Sequence, residues 1–182
     1  MVKGLKKTVA LVGMMGAGKT AVGKAIALSL DVPFLDSDAE IERAADRSIA
    51  EIFERDGERF FRSKESQVIT RLLEDEQCIL STGGGAFMTA ENRDFIAAKG
   101  VAVWLKADLD ILWQRVRHKS TRPLLQTDNP FETLKELVEV REPIYAKAGI
   151  VVDAEPALSI EQMAQKVIAA LVAHGGIVKD ET

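Results

Sequence analysis

Gly13-Met14-Met15-Gly16-Ala17-Gly18-Lys19-Thr20, entered from the apolar run Thr8-Val9-Ala10-Leu11-Val12 and followed by an amphipathic stretch from Ala21 to Leu30, decides how this chain is read. The octapeptide fits G-x-x-x-x-G-K-[ST] at every fixed position and stands between a strand pattern and a helix pattern, the context such a loop needs to hold nucleotide phosphates. Glycines let the backbone curl its N–H groups toward an anion, and the helix that follows adds unpaired N–H groups and the positive end of its dipole. Lys19 is placed to reach the β and γ phosphates, and the Thr20 hydroxyl suits Mg²⁺, a hard cation that prefers oxygen and binds beside substrate phosphates. A chance glycine turn is the bland alternative, and the four fixed positions in that context weigh against it. The loop names a ligand and leaves the reaction open, because kinases, hydrolases and switches all carry it.

Outward from the loop, short apolar runs alternate with longer helical patterns. Val9 to Val12, Pro33 to Leu35, Cys78 to Ser81, Val101 to Leu105 and Ile150 to Val152 read as strands. Ala21 to Leu30, Ala39 to Ala45, Ile49 to Arg55, Glu58 to Leu73, Ala90 to Lys99, Leu109 to Arg117, Phe131 to Lys147 and Ile160 to Ala173 carry helical spacing. Ser48 with Glu51 makes a capping box, and Asp108 and Ser159 are candidate N-caps. Strands separated by helices predict an α/β fold with a parallel sheet, in which chemistry gathers at the strand C-termini. The segments that follow the first three strand candidates are the unusual ones: the phosphate loop, Asp36-Ser37-Asp38, and Thr82-Gly83-Gly84-Gly85.

The chain of 182 residues is expected to form one domain with a core of its own. Its 24 Lys and Arg are interspersed among 28 Asp and Glu, a net charge of −4, which argues against a nucleic-acid footprint. Cys78, the single cysteine, cannot form an internal disulfide and reads as a buried small apolar residue. Lys3, Lys6 and Lys7 ahead of an apolar stretch mimic a signal peptide, but Lys19 and Lys24 break the apolar region, and no run approaches the roughly 20 residues that span a bilayer. The expectation is a cytoplasmic monomer with no membrane or nucleic-acid partner and a disordered tail over residues 174–182.

Asp36 and Asp38 stand two apart at the end of a strand, where extended backbone would turn both to one side. One could serve Mg²⁺ and the other a substrate hydroxyl; the alternative is that Asp38 only caps the next helix. Gly83-Gly84-Gly85 offers no side chain to pack, which suits close approach by a ligand. Arg62 and Glu65 are three apart on a helix, so they can pair and fix a guanidinium fork suited to a carboxylate, though an ordinary surface ion pair has the same spacing. The segment from Arg115 to Pro130, cationic at first and proline-bracketed at its end, reads as a flap whose arginine could exclude water and stabilise a transferring phosphoryl group. His118 is given no catalytic role.

Together these pieces resemble the shikimate kinases, P-loop enzymes of the nucleoside-monophosphate-kinase-like group, from about residue 8 to residue 172. The motifs that carry the resemblance are Gly13 to Thr20 as Walker A, Asp36-Ser37-Asp38 as D-x-D, Gly57 to Glu65 as G-E-x-x-F-R-x-x-E, Gly83-Gly84-Gly85, Arg122-Pro123-Leu124-Leu125 in the lid, and Arg141-Glu142-Pro143-Ile144-Tyr145. The resemblance implies a three-layer P-loop kinase fold with a five-stranded parallel sheet of order 2-3-1-4-5, a shikimate-binding subregion over about 36–65 and a mobile lid over about 116–129. It implies transfer of the γ-phosphate of ATP, with Mg²⁺, to the 3-hydroxyl of shikimate on the route to aromatic amino acids.

By the same resemblance Lys19, Asp38 and Arg122 are catalytic, and Asp38 holds the ring hydroxyls and can accept the proton. Arg62 and Arg141 grip the shikimate carboxylate, Glu65 positions Arg62, and the backbone of Gly83, Gly84 and Gly85 meets the substrate. The nucleotide falls to Gly13, Met14, Met15, Gly16, Ala17, Gly18, Lys19 and Thr20, with Arg122 at the phosphates and Arg115 on adenine; Thr20 and Asp36 serve the metal. Two alternatives stay open at this stage: a small-molecule kinase with a gluconate-like acceptor, and a catalytically silent binding protein.

Overall fold

The structure, a computed structural model, describes residues 2–118 and 125–180. In chain order the strands are β1 (Thr8–Val12), β2 (Phe34–Asp36), β3 (Ile79–Ser81), β4 (Gly100–Lys106) and β5 (Ile150–Asp153). They form one sheet of order β2-β3-β1-β4-β5 in which every pair is parallel. The helices are α1 (Lys19–Leu30), α2 (Ser37–Ala45), α3 (Ile49–Asp75), α4 (Ala90–Lys99), α5 (Leu109–Val116), α6 (Pro130–Tyr145) and α7 (Ile160–His174). The expected fold class and strand order are the ones observed.

The apolar run of β1 is continuous because both faces of the strand are covered. Its period of two divides the core: Val9 and Leu11 pack toward α1 and α7, while Ala10 and Val12 pack toward residues of α3, α4, α5 and α6. β4 repeats the division, with Val103 and Leu105 on the first face and Ala102 and Trp104 on the second. A third cluster, including Ile41, Ile52 and Phe61, joins α2 to α3. Gly57, at φ 85° and ψ 170°, breaks α3 where the sequence pattern divides into two helices.

Three local expectations are corrected. The strand ends at Asp36, and Ser37 already opens α2, so Asp36 and Asp38 do not share a strand face. Asp108 precedes α5 without a side-chain cap bond, whereas Ser48 caps α3 and Ser159 forms a capping box with Gln162. The tail expected to be disordered is tied down through residue 180: Ile177 and Val178 are buried, Leu5 and Val178 form an antiparallel bridge, and Lys6 N–H donates to the Ile177 carbonyl at 2.7 Å. Two apolar residues after a glycine pair gain more by covering the core beside Leu5 than by remaining in water.

Candidate active site

β1 lies between β3 and β4, so the crevice at the C-terminal edge of the sheet opens where β1 ends, and the phosphate loop fills that position. Gly16 and Gly18 adopt φ of 84° and 95°, a region that side chains disfavour, and a Cβ on Gly16 would come within 2.8 Å of Val116 Cγ1. Gly18 precedes α1 with no side-chain cap, and no acid stands in the first turn. The leading N–H groups of α1 therefore have neither a carboxylate partner nor a competing negative charge. Lys19 is buried and its Nζ donates to the carbonyls of Gly13 at 2.6 Å and Met14 at 3.0 Å, which folds the cation over its own loop. A cleft of about 590 Å³ runs along this loop, walled also by Asp36, Thr82 and Leu158.

A second pocket of about 370 Å³ adjoins it and is built differently. One wall is apolar, from Ile49, Phe53 and Phe61, with the two phenyl rings 4.8 Å apart. The other walls carry Arg62, Glu65, Arg141 and the glycines 83 to 85. Met15, Asp38, Gly83 and Gly84 line both cavities, so the two meet there. Cβ atoms on the triplet have no room: at Gly83 one would lie 2.8 Å from Asp38 Oδ1, at Gly84 2.9 Å from Arg141 Nη1, and at Gly85 2.7 Å from Arg62 Cζ. The triplet is the surface against which the side chains of Asp38, Arg141 and Arg62 rest.

Charge in the second pocket is arranged around Arg62. Its Nη1 donates to Glu65 Oε1 at 2.9 Å, and Glu65 is 0% exposed, which separates this pair from an ordinary surface ion pair. Burial pushes the Glu65 carboxyl up to about 7, against the pull of Arg62. Burial, reinforced by the negative charge of Asp36, pushes Asp38 up to about 6, with Lys19 and Arg62 working the other way. Among the described residues, the buried side-chain polar atoms without a hydrogen-bond partner are Asp38 Oδ1, Glu65 Oε2 and Arg141 Nη1. All three residues line this pocket. An unpaired buried polar atom is costly, so three in one cavity describe a site shaped for a polar guest.

The residues expected from sequence mostly converge. Asp36 reaches the first cleft but is committed on one side, because its Oδ1 caps α2 by accepting from Ala39 N–H at 3.1 Å. Asp38, the residue for which capping was the alternative, is not the cap. Arg115 lines the cleft as well, but its Nη1 donates to the Gly16 carbonyl at 2.9 Å, so here it braces the phosphate loop rather than standing clear for an adenine face. Arg122 lies outside the described residues, as does the centre of the expected lid; Val116 and Leu125, on either side of that stretch, are both buried. Sequence reasoning passed over the apolar wall at Ile49, Phe53 and Phe61, and Ser37, whose Oγ accepts from Gly83 N–H at 3.3 Å. The aromatic residues spaced around Gly57 were the available signal for the wall.

Thr20 and Asp36 both face the phosphate cleft, and among the described residues no group of three metal-binding side chains occurs. That sparse donor set fits Mg²⁺, which keeps several waters and takes much of its coordination from substrate phosphates.

A cradle of backbone N–H groups on a 2-3-1-4-5 parallel sheet, opening directly onto a pocket with a carboxylate and two guanidinium groups, defines a P-loop phosphotransferase for a small anionic acceptor. Comparison with known proteins narrows the class. The family described as "Shikimate kinase" matches residues 15–172. The shikimate kinase of Cereibacter sphaeroides is 62% identical over 97% of this chain and 88% of its own length, and that of Ruegeria pomeroyi 61% identical over 96% and 90%. Among solved structures, the shikimate kinase from Acinetobacter baumannii in complex with shikimate superposes with a TM-score of 0.88 at 38% identity, covering 92% of this chain and 93% of that one. The chain belongs to the shikimate kinase family of ATP-dependent phosphotransferases.

Proposed function

We propose that this chain transfers the γ-phosphate of ATP to the 3-hydroxyl of shikimate, releasing shikimate 3-phosphate and ADP. The observation that carries the reading is the set of three unpartnered buried polar atoms in the pocket beside the phosphate loop. Arg141 Nη1 and the Arg62 fork suit the acceptor carboxylate, and Asp38 Oδ1 suits the reacting hydroxyl. A neutral sugar, which has no carboxylate, would leave Arg141 Nη1 unpaired in a buried position. The apolar wall at Phe53 and Phe61 matches the carbon face of a ring.

In this reading Asp38 orients the acceptor hydroxyl and receives its proton as the new P–O bond forms, while Lys19 exchanges its loop carbonyls for phosphate oxygens. The bare N-terminus of α1 holds the phosphates from behind. Thr20 and Asp36 are the residues that would hold Mg²⁺, which when bound neutralises phosphate charge. Arg122 would reach the phosphates from the lid. The protein acts as a single-domain monomer in the cytoplasm, with no nucleic-acid or membrane partner; among the described residues no helix is long and apolar enough to cross a membrane.

The test is an ADP-release assay with purified protein and MgATP, offering shikimate, quinate, gluconate and nucleoside monophosphates, with Lys19→Ala as control. Turnover on shikimate that vanishes in the control supports the reading. Activity confined to gluconate would keep Arg62 and Arg141 on a carboxylate but change the acceptor, activity confined to nucleoside monophosphates would reassign both arginines, and silence on every acceptor would leave only a binding role.

A further inference from the structure

Gly84 has no side chain to lock its peptide, yet both cavities depend on where that peptide lies. Its carbonyl oxygen accepts a hydrogen bond from the hydroxyl of Tyr145, the last residue of α6. Tyr145 is 0% exposed and lines neither cavity, so it touches the triplet from behind. Its ring leans on Trp104 of β4 with centroids 5.8 Å apart, which fixes the ring and so aims the hydroxyl. The hydroxyl also approaches Met14 Sδ at 3.9 Å, on the loop whose carbonyls hold Lys19. Burial pushes it up to about 12, with the Arg141 guanidinium pulling the other way, so it remains a donor at any working pH.

We infer that Tyr145 is a positioning residue for the acceptor: its hydroxyl pins the Gly84 carbonyl and thereby sets the triplet backbone and the adjoining Arg141 fork. Two geometric facts carry this. The peptide between Gly84 and Gly85 is trans, so fixing its carbonyl toward Tyr145 sends its N–H the opposite way, to the side of the triplet away from α6. Arg141 precedes Tyr145 by one helical turn, and its Nη1 lies where a Cβ of Gly84 would come within 2.9 Å, so guanidinium and glycine share one small space. The ring of Tyr145 fills core; its oxygen is the part that addresses the site.

The inference rests on the reading of shikimate as acceptor, and Tyr145→Phe in the full-length protein tests it, since the ring stays and only the oxygen leaves. The expected result is a rise of about tenfold in KM for shikimate with KM for ATP within about twofold of the wild type. Leu134→Val, a cavity variant in the same buried cluster, supplies the comparison: it should lower the melting temperature without moving either KM. An unchanged shikimate KM in Tyr145→Phe, or an equal rise in Leu134→Val, overturns the inference while leaving the acceptor assignment intact. A wild type that turns over no shikimate overturns the acceptor assignment and this inference with it.

Discussion

The phosphate cradle and the acceptor pocket share four lining residues, yet they are made in opposite ways. The cradle is eight consecutive residues acting mainly through backbone N–H groups, and its one charged side chain, Lys19, reaches back to its own loop. The acceptor pocket draws Asp38 from α2, Arg62 and Glu65 from α3, a glycine triplet from after β3 and Arg141 from α6. A contiguous site can be set by local conformation alone, whereas a dispersed one is only as exact as the packing that brings its parts together. The first should lose function through charge at one residue, and the second through small displacements at several.

The largest effect should fall where the two regions meet. Asp38→Asn keeps the shape of the side chain and removes the carboxylate that faces the hydroxyl. Turnover should fall by about 10²–10⁴ while KM for ATP stays close to the wild type, a split read from initial rates at varied ATP and shikimate. Near-normal turnover would mean the junction positions nothing that reacts.

Next in size are the guanidinium groups. Arg141→Ala should raise KM for shikimate by about 30–100-fold, the loss of a buried charge-assisted contact, with little change for ATP. Arg62→Ala should match it kinetically and also lower the melting temperature, because it strands the fully buried Glu65 carboxylate without its cation. If the two variants were equally stable, Glu65 would not depend on Arg62 and the pocket would be less tightly built than its distances state. Gly84→Ala should come below both, raising KM for shikimate about tenfold, because its Cβ would press on Arg141 Nη1 while leaving every charge present.

The same contrast explains what could be read in advance. The cradle was legible because its mechanism is encoded in eight adjacent letters, and β1 and α1 announced themselves by period. The sheet order and most of the acceptor set came from motif resemblance, since nothing in spacing alone says that Arg141 stands beside Gly84. The pairing of Leu5 with Val178 spans nearly the whole chain and leaves no local trace, so the tail reads as loose from sequence alone. D-S-D by itself is equally compatible with a continued strand, because the point at which β2 yields to α2 is set by the Asp36 cap on Ala39 N–H. Tyr145 was visible only as the end of a motif; its role needs the triplet folded against α6.

The smallest effect tests the cost of the dispersed site. Asp38 and Glu65 have folded-state carboxyls at about 6 and about 7, above ordinary values of 3.8 and 4.5, chiefly through burial. The folded chain therefore holds these protons more tightly than the unfolded one, so the two groups favour folding below about pH 4 and that contribution is lost as pH rises through 6 to 7. Activity should run the other way: kcat/KM for shikimate should fall on the acid side with an apparent pKa near 6, shared by the coupled pair, because a protonated Asp38 cannot accept the hydroxyl proton. Asp38→Asn removes the ionised form, so at pH 8 its melting temperature should exceed that of the wild type by about 3–6 °C, and near pH 3, below the ordinary carboxyl value, the two should nearly coincide. Calorimetry at the two pH values decides it. A gain of equal size at both would place the destabilisation in packing rather than in charge, and the acceptor pocket would then differ from the cradle in shape alone.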